Sequence, residues 1–217
     1  MNSRTRAFSQ SQQEALQIYA RLLDEAAVRI SGIDAALNGQ TGLPVPLIAE
    51  FGYLQLRMLG ESIALACLVA HGDIKETITT KLQKEFAADS IIKALERLHA
   101  NFYPRPVVVR RTATGVHIER STAGFLTRRE LVDLYHQCGD RLHRGSLVKF
   151  RSEAPRRMEA ERVKLRGWRE KFVALLTTHH IASLDGNTHY LCFLSHPQTN
   201  GKPMIARADS IDHAGVE

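Results

Sequence analysis

Apolar positions recur at helical spacing through most of this chain and change to alternation in two stretches. Leu16, Tyr19, Ala20, Leu23, Ala27 and Ile30 predict a first helix from about Ser11 to Leu37, ended by Gly39, Gly42 and the Pro44/Pro46 pair. A second helix runs from about Leu47 to His71, with a stripe of Phe51, Leu54, Met58, Leu65 and Leu68. Its segment Ile63 to Ala70 is apolar nearly all round, as expected of a helix at the centre of a bundle. Helical material resumes after Gly72-Asp73, and Asp89 can cap a helix carrying Ile91, Ile92, Leu95 and Leu98.

The period changes at Val107-Val108-Val109 and Val116-His117-Ile118, two strands around a turn, which predicts a hairpin over about 106–120. Thr127 and Glu130 form a capping box that opens a helix with Leu131, Leu134, Tyr135, Cys138 and Leu142 on its buried side and Gly145 as its stop. Residues 145–155 read as a linker. A basic helix follows to about Thr177, with Met158, Leu165, Trp168, Phe172 and Leu175 inside. From His179 the period is that of strands. Asp185-Gly186 favours a two-residue type I′ turn, and Asn200-Gly201 turns the chain into Met204-Ile205-Ala206, which makes a three-stranded meander. The fold class is therefore mainly α: a helical bundle over 1–177 with an inserted hairpin, a small C-terminal β-meander at 178–209 packed on the bundle, and a tail at 210–217.

Composition adds bounds. The chain has 217 residues and 24.3 kDa, enough for one domain, or one with a small appendage. The net charge is +6, but it is regional: Arg105 to Lys171 holds 17 basic and 8 acidic residues. Such an excess suits a surface that meets phosphates or an acidic partner, or else a solvated basic helix. Cys67, Cys138 and Cys192 lack CxxC spacing, which argues against a secreted disulfide framework. The N-terminus lacks the apolar core of a signal peptide, and Ile63–Ala70 falls short of the roughly 20 residues that span a bilayer. The expected location is a reducing cytoplasm, with no membrane partner.

The helix opened by Thr127 is the first candidate for chemistry. Arg129, Asp133, His136, Asp140 and His143 stand at offsets that bring all five near one helical face. Two imidazoles beside two carboxylates can perform acid–base chemistry, and a carboxylate can orient a His. A solvated face opposite the apolar stripe is the alternative. Glu61, spaced i, i+4 from Arg57, falls within the line Leu54, Met58, Leu65. A carboxylate there needs a partner, since an unpaired buried charge is costly. Either it is an ordinary intrahelical pair, or Glu61 faces the polar helix and meets Arg129, His136, Arg141 or His143.

The Arg57-x3-Glu61 pair on an apolar second helix, together with a later helix ending in the run Tyr135–His143 before Arg144-Gly145, resembles the HEPN superfamily. The resemblance spans about Leu47 to Gly145. It implies a four- or five-helix bundle, often dimeric. It also implies metal-independent endoribonuclease activity, in which an Arg and a His of an Arg-x(4–6)-His motif meet at a dimer cleft beside a polar residue of an earlier helix. Arg129 and His136, with six residues between them, fit the longest form of the motif, with Glu61 as the earlier polar residue. His143 matches the helix-terminal position but has no Arg at the required distance; non-nucleolytic members are typical too. On this reading Arg129, His136, Asp140, His143 and Glu61 are the catalytic candidates, and Arg141, Arg144, Arg157, Lys164 and Lys171 the nucleic-acid contacts. The partner is RNA or another nucleic acid, the state a homodimer, and no cofactor or metal is required. The alternative is a non-catalytic dimerisation or partner-protein-binding module.

The tail carries His179, His180, His189, Cys192 and His196. With Asp185-Gly186 as a two-residue turn, His179 faces Cys192, while His189 falls on the other face of its strand. His196 is roughly 13 Å further along, so four ligands do not converge and no metal site is expected. No P-loop, GxGxxG, GxSxG or HExxH motif is present.

Overall fold

The computed structural model describes residues 10–72, 80–112, 115–143, 158–184 and 186–209. Arg144, Gly145, Arg157, the 145–155 segment, Asp185 and the 210–217 tail lie outside them.

Helix α1 (Gln10–Leu37) turns Tyr19, Leu23, Ala26, Ile30, Ile33 and Ala36 inward. That stripe is rotated slightly from the predicted one, which held Ala20 and Ala27. Gly39 ends the helix with a φ of 72°, a left-handed conformation that glycine adopts without strain, while the N–H groups of Gly39 and Gln40 bond the last carbonyls. Pro44 and Pro46 start α2 (Val45–Ala70), where a missing N–H costs nothing.

Helix α2 is the centre. It packs against α1, against α4 (Ala88–Leu98), against α5 (Arg128–Leu142) and against α6 (Met158–Leu176). By length and composition alone α2 could cross a membrane, contrary to the expectation from its longest apolar run. In the bundle that apolar character is the core: Leu56, Leu59, Ile63, Ala64 and Cys67 are buried. Gly52 lets α6 approach closely, for a Cβ there would stand 2.7 Å from Leu165 Cδ1.

A single turn, α3 (Thr80–Gln83), precedes α4. Asp89 is not the cap of α4. The Glu85 carboxylate accepts from the N–H groups of Phe86 and Ala87 instead, and Asp89 sits in the first turn, where the helix dipole favours an anion. The predicted capping box of α5 is present: Thr127 Oγ1 accepts from the Glu130 N–H, and Glu130 accepts from the Thr127 N–H. The helix ends at Leu142, with His143 as its C-cap.

The strands are β1 (Arg105–Thr112), β2 (Gly115–Arg120), β3 (Thr178–Ala182), β4 (Thr188–Phe193) and β5 (Met204–Asp209). Both the hairpin and the meander form, but they are not separate. Arg105 and Pro106 of β1 pair with His180 and His179 of β3, giving one antiparallel sheet in the order β2-β1-β3-β4-β5. The β3–β4 register places His179 opposite Cys192, as the Asp-Gly turn requires. His179, Ile181 and Cys192 are buried and face the helices.

Candidate functional site

Helix α5 presents two faces of different character. On its outer face Arg129 is 92% exposed and its guanidinium stands 3.9 Å from Asp133, the residue one turn on. His136 is 58% exposed, with Nε2 3.7 Å from the Asp89 carboxylate of α4. Asp140 and His143 are exposed too. Arg129, Asp133, His136 and Asp140 share a helical face as the offsets require, with His143 at the extended C-cap, but that face points to solvent. Among the described residues it does not converge with Glu61.

Glu61 lies against the inner face. Its side chain is 18% exposed and pairs with Arg57 at 3.3 Å. Arg57 donates to the Tyr135 hydroxyl at 2.8 Å, and its guanidinium stands 4.3 Å from the Tyr135 ring centroid. Arg57 thus bridges Glu61 and the Tyr135 hydroxyl, an Arg57–Tyr135–Glu61 triangle across the α2–α5 seam. Burial pushes the Tyr135 hydroxyl pKa up, and neighbouring Glu61 adds to this while Arg57 opposes it. Gly139 leaves room for the guanidinium, since a Cβ there would lie 3.3 Å from Arg57 Nη1. The α5 side chain that reaches this pair, through Arg57, is thus a phenol rather than Arg129, His136, Arg141 or His143. The geometry explains it: Tyr135 belongs to the stripe of Leu131, Leu134 and Cys138 that packs on α2, whereas Arg129 and His136 sit on the opposite side.

Further along the seam is a second carboxylate, Glu161 of α6, only 5% exposed. Tyr53 donates to it at 2.7 Å, and Arg141 and Lys164 stand at 3.3 and 3.5 Å. Burial alone would raise the Glu161 pKa; the Tyr53 hydrogen bond and the two cations outweigh it and hold the carboxyl below its ordinary value. Sequence reading missed Tyr53 and Glu161, and placed Tyr135 on the buried stripe without its polar role. Glu161 had a usable signal, because it precedes Leu165 by four residues on the buried stripe, the same reasoning that singled out Glu61.

This arrangement bears on the residues expected to contact phosphate. Arg141 and Lys164 are bound to Glu161, and Lys171 pairs with Glu130 of the capping box. Three of the five cations thus have carboxylate partners within the bundle, while Arg144 and Arg157 lie outside the described residues.

The tail histidines divide by face. His179 is buried; it accepts from the Tyr19 hydroxyl at Nε2, 2.7 Å away, and donates from Nδ1 to the Leu176 carbonyl at 3.1 Å. Burial lowers its pKa to about 4, so the ring is neutral, which is why Nε2 can accept. On the other face His180 and His189 stack with centroids 5.1 Å apart and share a hydrogen bond of 2.9 Å between Nε2 and Nδ1. Among the described residues no three or more His, Cys, Asp or Glu side chains are grouped to hold a metal ion. All three cysteines are buried thiols, and burial pushes Cys138 and Cys192 up to about 12, far from a reactive thiolate. A shallow crevice between α1 and α2 is lined mostly by Leu22, Leu23, Ala26, Ile63, Ala66 and Leu176, so it offers packing rather than chemistry. No family model matches this chain, and no curated protein or solved structure is measurably similar to it.

Proposed function

We propose that this protein is a HEPN-like, nucleic-acid-facing module that binds RNA without cleaving it. The observation that carries the reading is the outer face of α5. Its Arg129 and His136 stand apart in solvent, engaged with Asp133 and Asp89 rather than with each other or with Glu61. Cleavage without metal needs a base at the 2′-hydroxyl and a cation at the phosphorane within one site. The Arg57–Tyr135–Glu61 triangle is mutually satisfied and acts as a seam between helices. The regional charge supports an anionic partner, since 17 basic residues face 8 acidic ones over Arg105–Lys171. The test is anisotropy of a labelled RNA titrated with the protein at rising salt, followed by electrophoresis of the same RNA. Binding that weakens steeply with salt, over an intact RNA, supports the reading; cleavage, or no binding at low salt, sinks it.

One contact favours the catalytic alternative: the Asp89 carboxylate, held by Lys93, stands 3.7 Å from His136 Nε2. A second copy would then have to bring its cation to that histidine. This version requires a homodimer of about twice 24.3 kDa in sedimentation and loss of cleavage in His136→Ala. A monomer over the micromolar range excludes it.

A further inference from the structure

The sheet has one face on the helices and, among the described residues, a second face whose side chains are half-buried to exposed except for the buried Val107. His179, Ile181 and Cys192 turn toward the helices, so by alternation His180, His189, Leu191, Phe193, Met204 and Ala206 take the other side. The register extends this face across the strands. Arg105, His180, Leu191 and Ala206 form one rung over β1, β3, β4 and β5. Thr178, Phe193 and Met204 form the next, and Arg120 joins the face opposite Val107.

Two properties of this face point to one class of ligand. The first is charge. Its described side chains include Arg105 and Arg120 and no Asp or Glu, whereas Glu119 takes the opposite parity, where it pairs with Arg110 at 3.4 Å. The arginines of the open face therefore have no carboxylate in their own rows, unlike Arg141, Lys164 and Lys171. The second is the supply of flat rings. His180 and His189 stack on each other, and Phe193 meets His196 edge to face with centroids 5.0 Å apart. Small residues separate them: Thr178 and Ala182 are half-buried and Ala206 is exposed.

We infer that this open sheet face is a platform for single-stranded RNA. Unstacked bases lie on Phe193 and on the His180/His189 pair, and phosphates are met by Arg105 and Arg120. His189 and Phe193 are four residues apart on one strand, roughly 13 Å, a span for an extended strand of about two nucleotides. A duplex hides its base faces in its own stack, so rings of this kind favour a single strand. The inference rests on the RNA-binding reading and gives that reading its place on the molecule, which is not the basic helix α6.

The experiment uses a labelled ~12-nucleotide single-stranded RNA of mixed sequence and the full chain. Phe193→Ala should weaken binding about tenfold or more, as loss of one stacked base does. The double variant Arg105→Glu/Arg120→Glu should also weaken it and flatten the log–log salt dependence by about 1.4, two phosphate contacts on a single strand. Lys164→Glu and Lys171→Glu should leave the affinity within about twofold. Because strand variants can misfold, 4-thiouridine RNA is crosslinked to the unaltered protein in parallel; the adducts should fall on β1, β3 or β4. Binding that survives both sheet variants, with adducts on α5 or α6, overturns the platform and leaves the RNA reading standing. Preference for duplex over single strand also overturns it. Absence of any RNA binding at low salt removes both.

Discussion

Tyr19 of α1 and His179 of β3 are 160 residues apart in sequence and joined by a 2.7 Å hydrogen bond in the core. The bond ties the C-terminal strands to the first helix, and its direction is set by the imidazole, whose Nδ1 proton is committed to Leu176. Replacing Tyr19 by Phe keeps the ring and leaves Nε2 a buried acceptor without its donor. The expected cost is about 1–3 kcal/mol, read from urea unfolding with an unchanged m-value. A Tyr19→Phe protein as stable as the parent would mean that the bond contributes nothing to the docking of the strands.

The same histidine makes stability depend on pH. Its folded pKa is about 4, against an ordinary value of 6.5, because burial disfavours the charged ring. The unfolded chain therefore takes up a proton at pH values where the folded one refuses it. This contribution is full above pH 6.5, is lost as pH falls through the interval to 4, and is constant below it. The total is about 3 kcal/mol at most, from 1.36 kcal/mol per pKa unit. His180, also lowered by burial, acts in the same sense. His179→Asn should flatten the rise of unfolding free energy between pH 4.5 and 6.5; an unaltered slope would assign it to other groups.

Local signals in the sequence carried much of this fold. The Thr127/Glu130 capping box and the Asp-Gly turn each act within a few residues, and both the start of α5 and the facing of His179 and Cys192 follow from them. The union of hairpin and meander does not, because Pro106 pairs with a residue more than seventy positions away and nothing in its own segment names that partner. The site shows the same divide. Helical offsets placed Arg129, Asp133, His136 and Asp140 on one face, but only packing decides which face meets α2, and Tyr135 with the apolar stripe took that side. Residues as distant as Tyr53, Arg141 and Glu161 come together through three helices, so their cluster had no local signature.

The Arg57–Tyr135–Glu61 triangle should behave as a coupled unit. Glu61→Gln weakens the pair with Arg57, and Tyr135→Phe removes the hydroxyl to which Arg57 donates. Each change should cost about 1–2 kcal/mol, since the groups are half-buried and the hydrogen bonds are charge-assisted. Together they should cost less than their sum, with an interaction free energy above about 0.5 kcal/mol in a double-mutant cycle. Strict additivity would show that Glu61 and Tyr135 stabilise the protein independently and that the seam is not a network.

Gly52 sets two effects against each other, and the geometry decides between them. Alanine in the middle of a helix is favoured over glycine by about 0.8–1 kcal/mol of intrinsic propensity. At position 52, however, the new Cβ would stand 2.7 Å from Leu165 Cδ1 and 2.9 Å from Cδ2. Leu165 is 1% exposed and cannot swing into water, so either its rotamer strains or α6 moves away from α2. Overpacking of this kind typically costs about 1–3 kcal/mol, enough to exceed the propensity gain. Gly52→Ala is therefore expected to destabilise the protein in chemical denaturation. Shortening the opposing side chain tests the cause: in the Leu165→Val background the clash is relieved, and Gly52→Ala should become neutral or stabilising. If Gly52→Ala stabilises the unaltered chain, propensity has won and the close approach of α2 and α6 does not depend on the missing side chain.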